Sequence, residues 1–586
     1  VVLEYIPKYG QRLADEVRKW GAWIKQEAEK ELAEFYPKDP DGATPIAYLW
    51  ARTIRCEGPG CGAEVPLMRS LWLAKKAKRS VALRIVPKSE DRRVDFEIIE
   101  NAKASEERPG TVKRGSATCP CCGYTTPVAS VRKQFQARRG GAADARLFCV
   151  VTTRADEQGR FYRLPTDRDI AAVNNAKEEL ERRKQAHQGA LSLVPDEPLP
   201  PQGTLGFRVQ LYGMEQWGDL FTPRQALALT TLARLVEKVG KNLLEQTDAG
   251  FAEAVQTGLA LAVSRCANQF CSLSKWNSGR ELVDGVFARQ ALPILWDFGE
   301  LNLFGRTDGV WLGALEWILA VVSSCPQTGE GQATLASATH HPLPDDSAQC
   351  VFTDPPYYDA VPYADLSDFF FVWLKRTIPM FGNSMCLSPK DEECIVDEIK
   401  GKDKAYFINS MRQAMAEARR VVSPSGVGIV VFAHKSTAGW EAQLQAMVDA
   451  GWTMTGSWPI DTEMGSRLRA MNSAALASSV HLVCRPRENP DGSLQEKKIG
   501  DWRDVLAELP QRIHDWMPRL AEEGVVGADA IFACLGPALE VFSRYSRVEK
   551  ASGEAVTLGE YLEHVWAAVS KEALSMIFKD PDTAGL

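Results

Sequence analysis

Two cysteine pairs, Cys56-Glu-Gly-Pro-Gly-Cys61-Gly62 and Cys119-Pro-Cys-Cys122-Gly123, constrain this chain more than any other feature. Each pair ends in Cys-Gly, where glycine permits the tight turn that aims backbone N–H groups at sulfur. Four thiolates from two such knuckles make a closed tetrahedral zinc site, structural rather than catalytic. Cys121 competes with Cys122 as a ligand, but the two-residue spacing and the following glycine favour Cys122. The first pair, with four intervening residues, sits at the edge of the usual spacing. The remaining cysteines, of 14 in all, are scattered over 586 residues. That usage fits a reducing, cytoplasmic setting with a metal site rather than a disulfide framework. Zinc is expected to contribute folding energy to a small insert with little core of its own.

Charge narrows the partners. The whole chain carries a net charge of −7, so it has no global nucleic-acid signature. Residues 51–140 differ, with 19 Lys+Arg against 9 Asp+Glu, a local balance of +10. Such a patch could neutralise phosphates, or be a solvated charged surface. No apolar run approaches the ~18 residues that a membrane span needs. Val1-Val2-Leu3-Glu4 lacks the charged-then-apolar pattern of a signal peptide and has no initiator Met, so a cut or processed chain is expected.

The pattern along the chain predicts five regions: an N-terminal helical segment (1–49), a zinc-ribbon insert (50–150), a charged helix and Pro-rich linker (151–206), a larger apolar domain (207–487) and a helical C-terminal region (488–586). Residues 11–35 read as an amphipathic helix through Leu13, Val17, Trp20, Trp23, Ile24, Ala28 and Leu32. Val81–Val86 and Val94–Ile99 read as strands. Residues 167–188 read as an exposed helix, and 194–204, with four prolines, as a linker. In the large domain, helices are expected at 223–239 (Pro at the first turn), 249–275, 310–323, 368–376, 405–422 and 440–450. A short buried strand is expected at 350–353, with further strands at 426–432, 454–458 and 479–484. Strands alternating with helices imply an α/β doubly wound sheet. Met411, Met415 and the tryptophans near 311–317 read as core. His340, His341 and His434 have no partners at metal spacing and read as surface or loop residues.

The chemistry-bearing segment is Asp354-Pro355-Pro356-Tyr357, at the end of the strand that follows the polar turn Leu343–Gln349. An exocyclic amine conjugated to a base ring is a poor nucleophile. Acceptors on its N–H groups help it become tetrahedral as an electrophile arrives. Asp354 supplies a side-chain oxygen and Pro355 a carbonyl, held outward by consecutive prolines that fix φ. Tyr357 offers an aromatic face for a flipped base. Ligands of open α/β sheets bind beyond the carboxyl ends of strands, where this turn lies. Tyr358, Asp359 and Tyr363 could line the same pocket or serve packing.

Here the sequence resembles the adenine-specific DNA methylases that contain a zinc ribbon. The resemblance rests on Thr353-Asp-Pro-Pro-Tyr-Tyr-Asp359 with Tyr363-Ala-Asp-Leu-Ser-Asp-Phe-Phe-Phe-Val-Trp-Leu374, on Trp217-Gly-Asp-Leu-Phe-Thr-Pro-Arg-Gln225, and on Ala475–Val480 with Val483-Cys-Arg-Pro486. It implies an incomplete methyltransferase-type sheet with an inserted zinc ribbon and a helical C-terminal region. It also implies methyl transfer from S-adenosylmethionine to the adenine N6 amine of DNA, in a modification or defence system. The family's glycine-rich cofactor turn is missing: Gly426-Val-Gly428 opens a strand rather than following one, and Asp297-Phe-Gly299 has the wrong flanks. The chain is therefore expected to be the C-terminal part of such an enzyme, its cofactor loop supplied by another subunit or an N-terminal half.

The remaining cofactor candidate is Phe221-Thr222-Pro223, joined by Asp354. It is either a site for the cofactor's carboxylate side at a helix start with free N–H groups, or a plain helix start. Arg467, Arg469 and Asn472, between two predicted strands, are either a DNA contact or a solvated hairpin. Asp at 354 leans toward adenine over cytosine N4, and away from protein glutamine; RNA adenine stays open. A non-catalytic DNA-binding or scaffolding subunit of a defence assembly is the competing reading.

Overall fold

A computed structural model describes residues 1–578 apart from 77–78, 104–108, 306–308, 326–328, 379–384, 435, 461–478, 490–492, 496–497, 524, 526–529 and 531–532. The chain is a mixed α/β protein with several sheets. It divides into two compact units, Val1–Ala333 with Tyr363–Asp391, and Thr334–Pro362 with Glu392–Leu586. The boundary expected at 206/207 falls inside the first unit. Among the described residues no helix is long and apolar enough to cross a membrane.

The first unit packs helices around a long amphipathic one. Helix α1 (Tyr5–Leu32) starts earlier than its periodicity predicts and is broken at Gly10, which takes a φ of 51°. Its buried stripe is Leu13, Val17, Gly21, Ile24, Ala28 and Leu32. A Cβ at Gly21 would lie 2.2 Å from Leu315. The missing side chain lets helix α6 (Trp311–Ser324) approach until Trp311 Nε1 donates to the Gly21 carbonyl at 2.8 Å. Trp311 is core, as expected, whereas Trp317 is half exposed beneath the Arg265 guanidinium. Helix α3 (Asp167–Ala186) begins at a Thr166–Asp169 capping box and buries Ala172, Ala176 and Leu180. Helices α4 (Pro223–Leu244) and α5 (Ala249–Ala267) pack on α1, and α7 (Tyr363–Thr377) packs on α4 and α5.

The expected insert leaves and rejoins one antiparallel sheet. Strands β1 (Thr44–Ala51) and β10 (Arg146–Thr153) lie side by side, with Ala51 opposite Arg146. β11 (Phe161–Arg163) and β14 (Asp297–Leu301) complete the order β11-β10-β1-β14. Between Ala51 and Arg146 the chain makes small sheets: β2 (Thr53–Arg55) with β3 (Glu64–Pro66), then β4 (Trp72–Lys76), β5 (Arg79–Lys88) and β6 (Arg93–Glu100), then β7 (Val112–Lys113), β8 (Ser116–Thr118) and β9 (Thr125–Thr126). The insert's small core is shared with the rest of the unit. Ile54, Val65, Leu67, Val131 and Phe135 pack with Tyr212 and Trp296 from later in the chain. Residues 194–204 are not a free linker either. Glu197 is buried between Lys375 and Arg376, and the Trp217 amide donates to its carbonyl.

The second unit holds the sheet that carries the candidate turn. Its order is β15-β16-β18-β17: β15 (Ala348–Thr353), β16 (Val422–Phe432), β17 (Trp452–Ile460) and β18 (Ser479–Pro486). β15 runs parallel to β16, and the other pairings are antiparallel. β15 is an edge strand rather than the buried strand its apolar run predicts; Phe352 is 61% exposed. Helices α8 (Lys404–Val421) and α9 (Thr437–Asp449) supply Phe407, Met411, Met415, Trp440 and Leu444 to the core. At the opposite edge helix α11 (Leu535–Ser543), which follows α10 (Trp502–Glu522), closes on β17. Ser543 Oγ accepts from the Met454 amide, and the Gly536 amide donates to Ser457 Oγ. Helix α12 (Leu558–Phe578) ends the described chain.

Arg224 and Glu300, 1% and 0% exposed, form an ion pair in the first unit, and the guanidinium lies 3.9 Å from the Tyr48 ring centre. Removing one partner of such a pair strands the other charge away from water. Glu300→Ala is expected to cost about 3–5 kcal/mol, read as a drop in the denaturant midpoint. A loss below about 1 kcal/mol would mean that water reaches Arg224.

Candidate functional site

The turn Asp354–Asp359 leaves the carboxyl end of β15, where Thr353 pairs with Val430 of β16. Asp354 is exposed, and Pro355 is buried beneath it. Tyr357 is half buried, its ring edge-on to Phe432 at 5.5 Å, and Phe432 is itself edge-on to Trp440. The Tyr357 ring is thus braced from the core side while its residue stays partly open. Tyr358 adopts a φ of 53°, in the left-handed region that bulky residues seldom occupy. Its carbonyl accepts from the Val396 amide at 3.0 Å, and its ring lies edge-on to Phe407 and to His434. Burial pushes the Tyr358 phenol above its ordinary value.

His434, expected at the surface or in a loop, lies in the loop just beyond the end of β16 and is buried there. Its Nε2 lies 2.9 Å from Asp359 Oδ1 and its Nδ1 2.9 Å from Ser436 Oγ. Spacing could not reveal this, because Asp359 lies 75 residues away in sequence. The available signal was Ser436 as N-cap of the helix that follows the strongest strand. His340 and His341 are exposed, as expected.

The signature segment divides between the units: Thr353–Pro362 belongs to the second, Tyr363–Leu374 to the first. In α7, Asp368 is fully buried and accepts from the Ser388 amide and hydroxyl, with Lys390 paired to its other oxygen. Phe221-Thr222-Pro223, also in the first unit, starts α4. Phe221 stacks on Phe369 and meets Trp373 edge-on. Thr222 Oγ1 accepts from the Gln225 amide and donates to Glu300, and the Thr222 amide donates to Gln225 Oε1. The N–H groups of Thr222 and Gln225 are thus spent on the cap. Thr222 and Pro223, with Trp50, Arg224 and Glu300, line a cleft of about 820 Å³. Gly426 and Gly428 lie within β16, and Asp297–Gly299 within β14; neither follows a strand as a cofactor turn does. Arg467, Arg469 and Asn472 lie outside the described residues.

The cysteines come together. The sulfurs of Cys56, Cys61, Cys119 and Cys122 all lie within 4.8 Å of one another, with Cys56–Cys122 at 3.6 Å and Cys61–Cys119 at 3.8 Å. A tetrahedron with metal–sulfur bonds of about 2.3 Å has sulfur–sulfur edges of about 3.8 Å. This set can therefore hold one metal ion such as zinc. Gly62 and Gly123 take φ of 62° and 75°, as the knuckle turns require. The Gly58 amide donates to Cys56 Sγ, and a backbone hydrogen bond from Tyr124 holds the Cys122 thiol below its ordinary value. Burial pushes the Cys56 thiol up. Cys121 points elsewhere, its sulfur donating to the Arg93 carbonyl. Within the insert Arg69, Arg92, Lys113, Arg114 and Lys133 are exposed. Arg52, counted in the local positive balance, is buried against the carbonyls of Leu295, Gly140 and Ser272.

No protein-family model, curated protein or solved structure matches this chain.

Elemental analysis is expected to find about one zinc per chain. Cys56→Ser with Cys119→Ser should abolish it and Cys121→Ser should not. A chelator should lower the thermal midpoint, because a structural ion's binding energy is folding energy. Full metal content in the double variant would show that the four thiols are not the ligands.

Proposed function

We propose that this chain is the base-binding, catalytic part of an S-adenosylmethionine-dependent methyltransferase acting on the N6 amine of adenine in DNA, akin to the zinc-ribbon methylases it resembles. The observation that carries the reading is the Asp354–Tyr357 turn: an exposed carboxylate and a core-braced tyrosine at the carboxyl end of a strand parallel to its neighbour. The parallel β15–β16 pair flanked by α8 and α9 supports an incomplete methyltransferase-type sheet, and the insert reads as a zinc ribbon.

In this reading Asp354 and the Pro355 carbonyl accept the two amine hydrogens. Those bonds shorten as the nitrogen becomes tetrahedral, which favours the transition state over the planar ground state. Tyr357 stacks on the extruded base. S-adenosylmethionine, when bound, supplies the electrophilic methyl group. The residues present do not form the usual cradle for it: the glycine turn is absent from the sequence and the Phe221–Pro223 cap is internally satisfied. The cofactor loop is assigned to another polypeptide or segment. The exposed arginines and lysines of the insert would meet phosphates. The same missing loop favours the second reading, a scaffolding subunit that binds DNA without catalysis.

Single-turnover transfer of labelled methyl to duplex DNA, with products digested to nucleosides, separates the two readings. The protein should be isolated by a tag on this chain, so that its natural partners come along. Asp354→Ala is expected to slow N6-methyladenine formation by roughly 100- to 1000-fold with little change in DNA affinity. Tyr357→Ala should also weaken base capture, by about 1–3 kcal/mol, whereas Tyr357→Phe retains it. An unchanged rate in Asp354→Ala would make the turn structural and defeat the catalytic reading. The chain stripped of partners should transfer poorly, and a polypeptide bearing the glycine loop should restore turnover.

A further inference from the structure

We infer that His434 is a positioning residue that locks the turn through Asp359, with its tautomer fixed by the cap of the following helix. The inference rests on the methyltransferase reading and extends it beyond the four-residue turn.

His434 sits between two sets of hydrogen-bonding groups. On one side the Ser436 amide donates to Nδ1 at 3.2 Å, and Ser436 Oγ lies 2.9 Å from the same nitrogen. Ser436 Oγ meanwhile accepts from the Gly439 amide as N-cap of α9. The Ser436 amide is nearer to Nδ1 than the Ser436 carbonyl, which stands at 3.4 Å, so the geometry favours Nδ1 as acceptor and the proton on Nε2. That Nε2–H donates to Asp359 Oδ1 at 2.9 Å. The ring has no freedom to turn. Gly439 packs against it so closely that a Cβ there would lie 2.3 Å from Nδ1, Phe432 stacks on it, and Trp440 Nε1 donates to the His434 carbonyl.

The consequence falls on the turn. Asp359 follows directly on Tyr358, the residue with φ of 53°. That conformation persists only where its surroundings over-determine it. The Val396 amide, the Phe407 ring and the His434 ring fix Tyr358 itself, and the His434–Asp359 bond fixes the next residue. Tyr357 and Asp354 lie immediately upstream. Releasing Asp359 lets the turn relax and shifts acceptor and stacking face together. A shift of about 1 Å in a positioned group can cost about 100-fold in rate. His434 touches neither base nor methyl donor in this account.

The test uses the tagged assembly and the single-turnover assay. His434→Phe keeps an aromatic ring against Phe432 and Tyr358 but loses both nitrogens. It is expected to slow methylation about 10- to 100-fold at saturating DNA with DNA affinity unchanged and cooperative thermal unfolding retained. His434→Gln, which keeps an N–H donor, should recover much of that loss. Asp359→Asn with His434→Phe should be no slower than His434→Phe alone. A second readout needs no activity: histidine-selective nitrogen NMR should show His434 as the Nε2–H tautomer, with ring shifts that move in Asp359→Asn. A wild-type rate in His434→Phe, while Asp354→Ala is dead, overturns the positioning role alone. An Nδ1–H tautomer overturns it whatever the activity. Absence of any N6-methyladenine in the wild-type assembly overturns the methyltransferase reading and this inference with it.

Discussion

The parallel pairing of β15 with β16 is the interaction on which the candidate site depends. It holds Thr353 opposite Val430, and the turn leaves from there toward Phe432 and His434 at the end of the longer strand. Register matters because side chains alternate: a slip by one residue would exchange the faces of Val351 and Phe352 and swing the turn to the other side of the sheet. The two sheet edges are treated differently. Helix α11 closes the β17 edge with serine hydrogen bonds and a glycine approach that puts Gly536 against the Gly456–Ser457 backbone. β15, at the other edge, pairs on one side alone among the described residues and leaves Phe352 largely exposed. Parallel strands are usually covered on both sides, and natural proteins seldom leave an apolar edge bare.

The insert combines a cysteine cluster able to hold a metal ion with a small core, and both bear on how an irregular segment is held. Its ends are joined by the Ala51–Arg146 pairing, so its excursion costs the parent sheet little. Around the knuckles the strands are short and the knuckle residues are largely spent on turns, which leaves packing to Phe135, Val65 and Ile54 against Tyr212 and Trp296. Arg52, at the point of departure, is anchored by carbonyls from Gly140, Ser272 and Leu295. This guanidinium stitches three chain segments and is unavailable to any phosphate. A local positive balance read from sequence therefore overstates the charge presented to a ligand.

Much of this was legible in the sequence where one physical rule dominated. The helical stripe of α1, the Pro223 start of α4, the hairpin of β5 and β6 and the choice of Cys122 over Cys121 follow from periodicity, fixed φ and knuckle geometry. The misreadings share a different cause: they depend on who the neighbours are. Cys350-Val-Phe-Thr353 is apolar enough for a buried strand, yet sequence does not say that it ends a sheet. Prolines at 195, 198, 200 and 201 suggest a spacer, yet buried Glu197, paired with Lys375 and Arg376, ties that stretch down. His434 looked idle because its partner comes from another loop, and Trp317 looked like core because an indole does not reveal that a guanidinium will cover it. The region expected at 207–487 includes pieces of both units, which the chain builds from non-contiguous segments.

The backbone at Tyr358 bears on the choice between catalyst and scaffold. A left-handed conformation costs a bulky residue about 1–2 kcal/mol, and glycine or asparagine would adopt it with far less strain. Here the ring is also put to use, lodged edge-on between Phe407 and His434, while its carbonyl takes the Val396 amide. The strained residue thus connects the exposed end of the turn to the buried end of β16. Tyr357 just before it leans on Phe432, and Asp359 just after it is held by an imidazole with one defined donor. Under the proposed reading, this fixed orientation is what an amine that must meet its acceptors in one geometry would require.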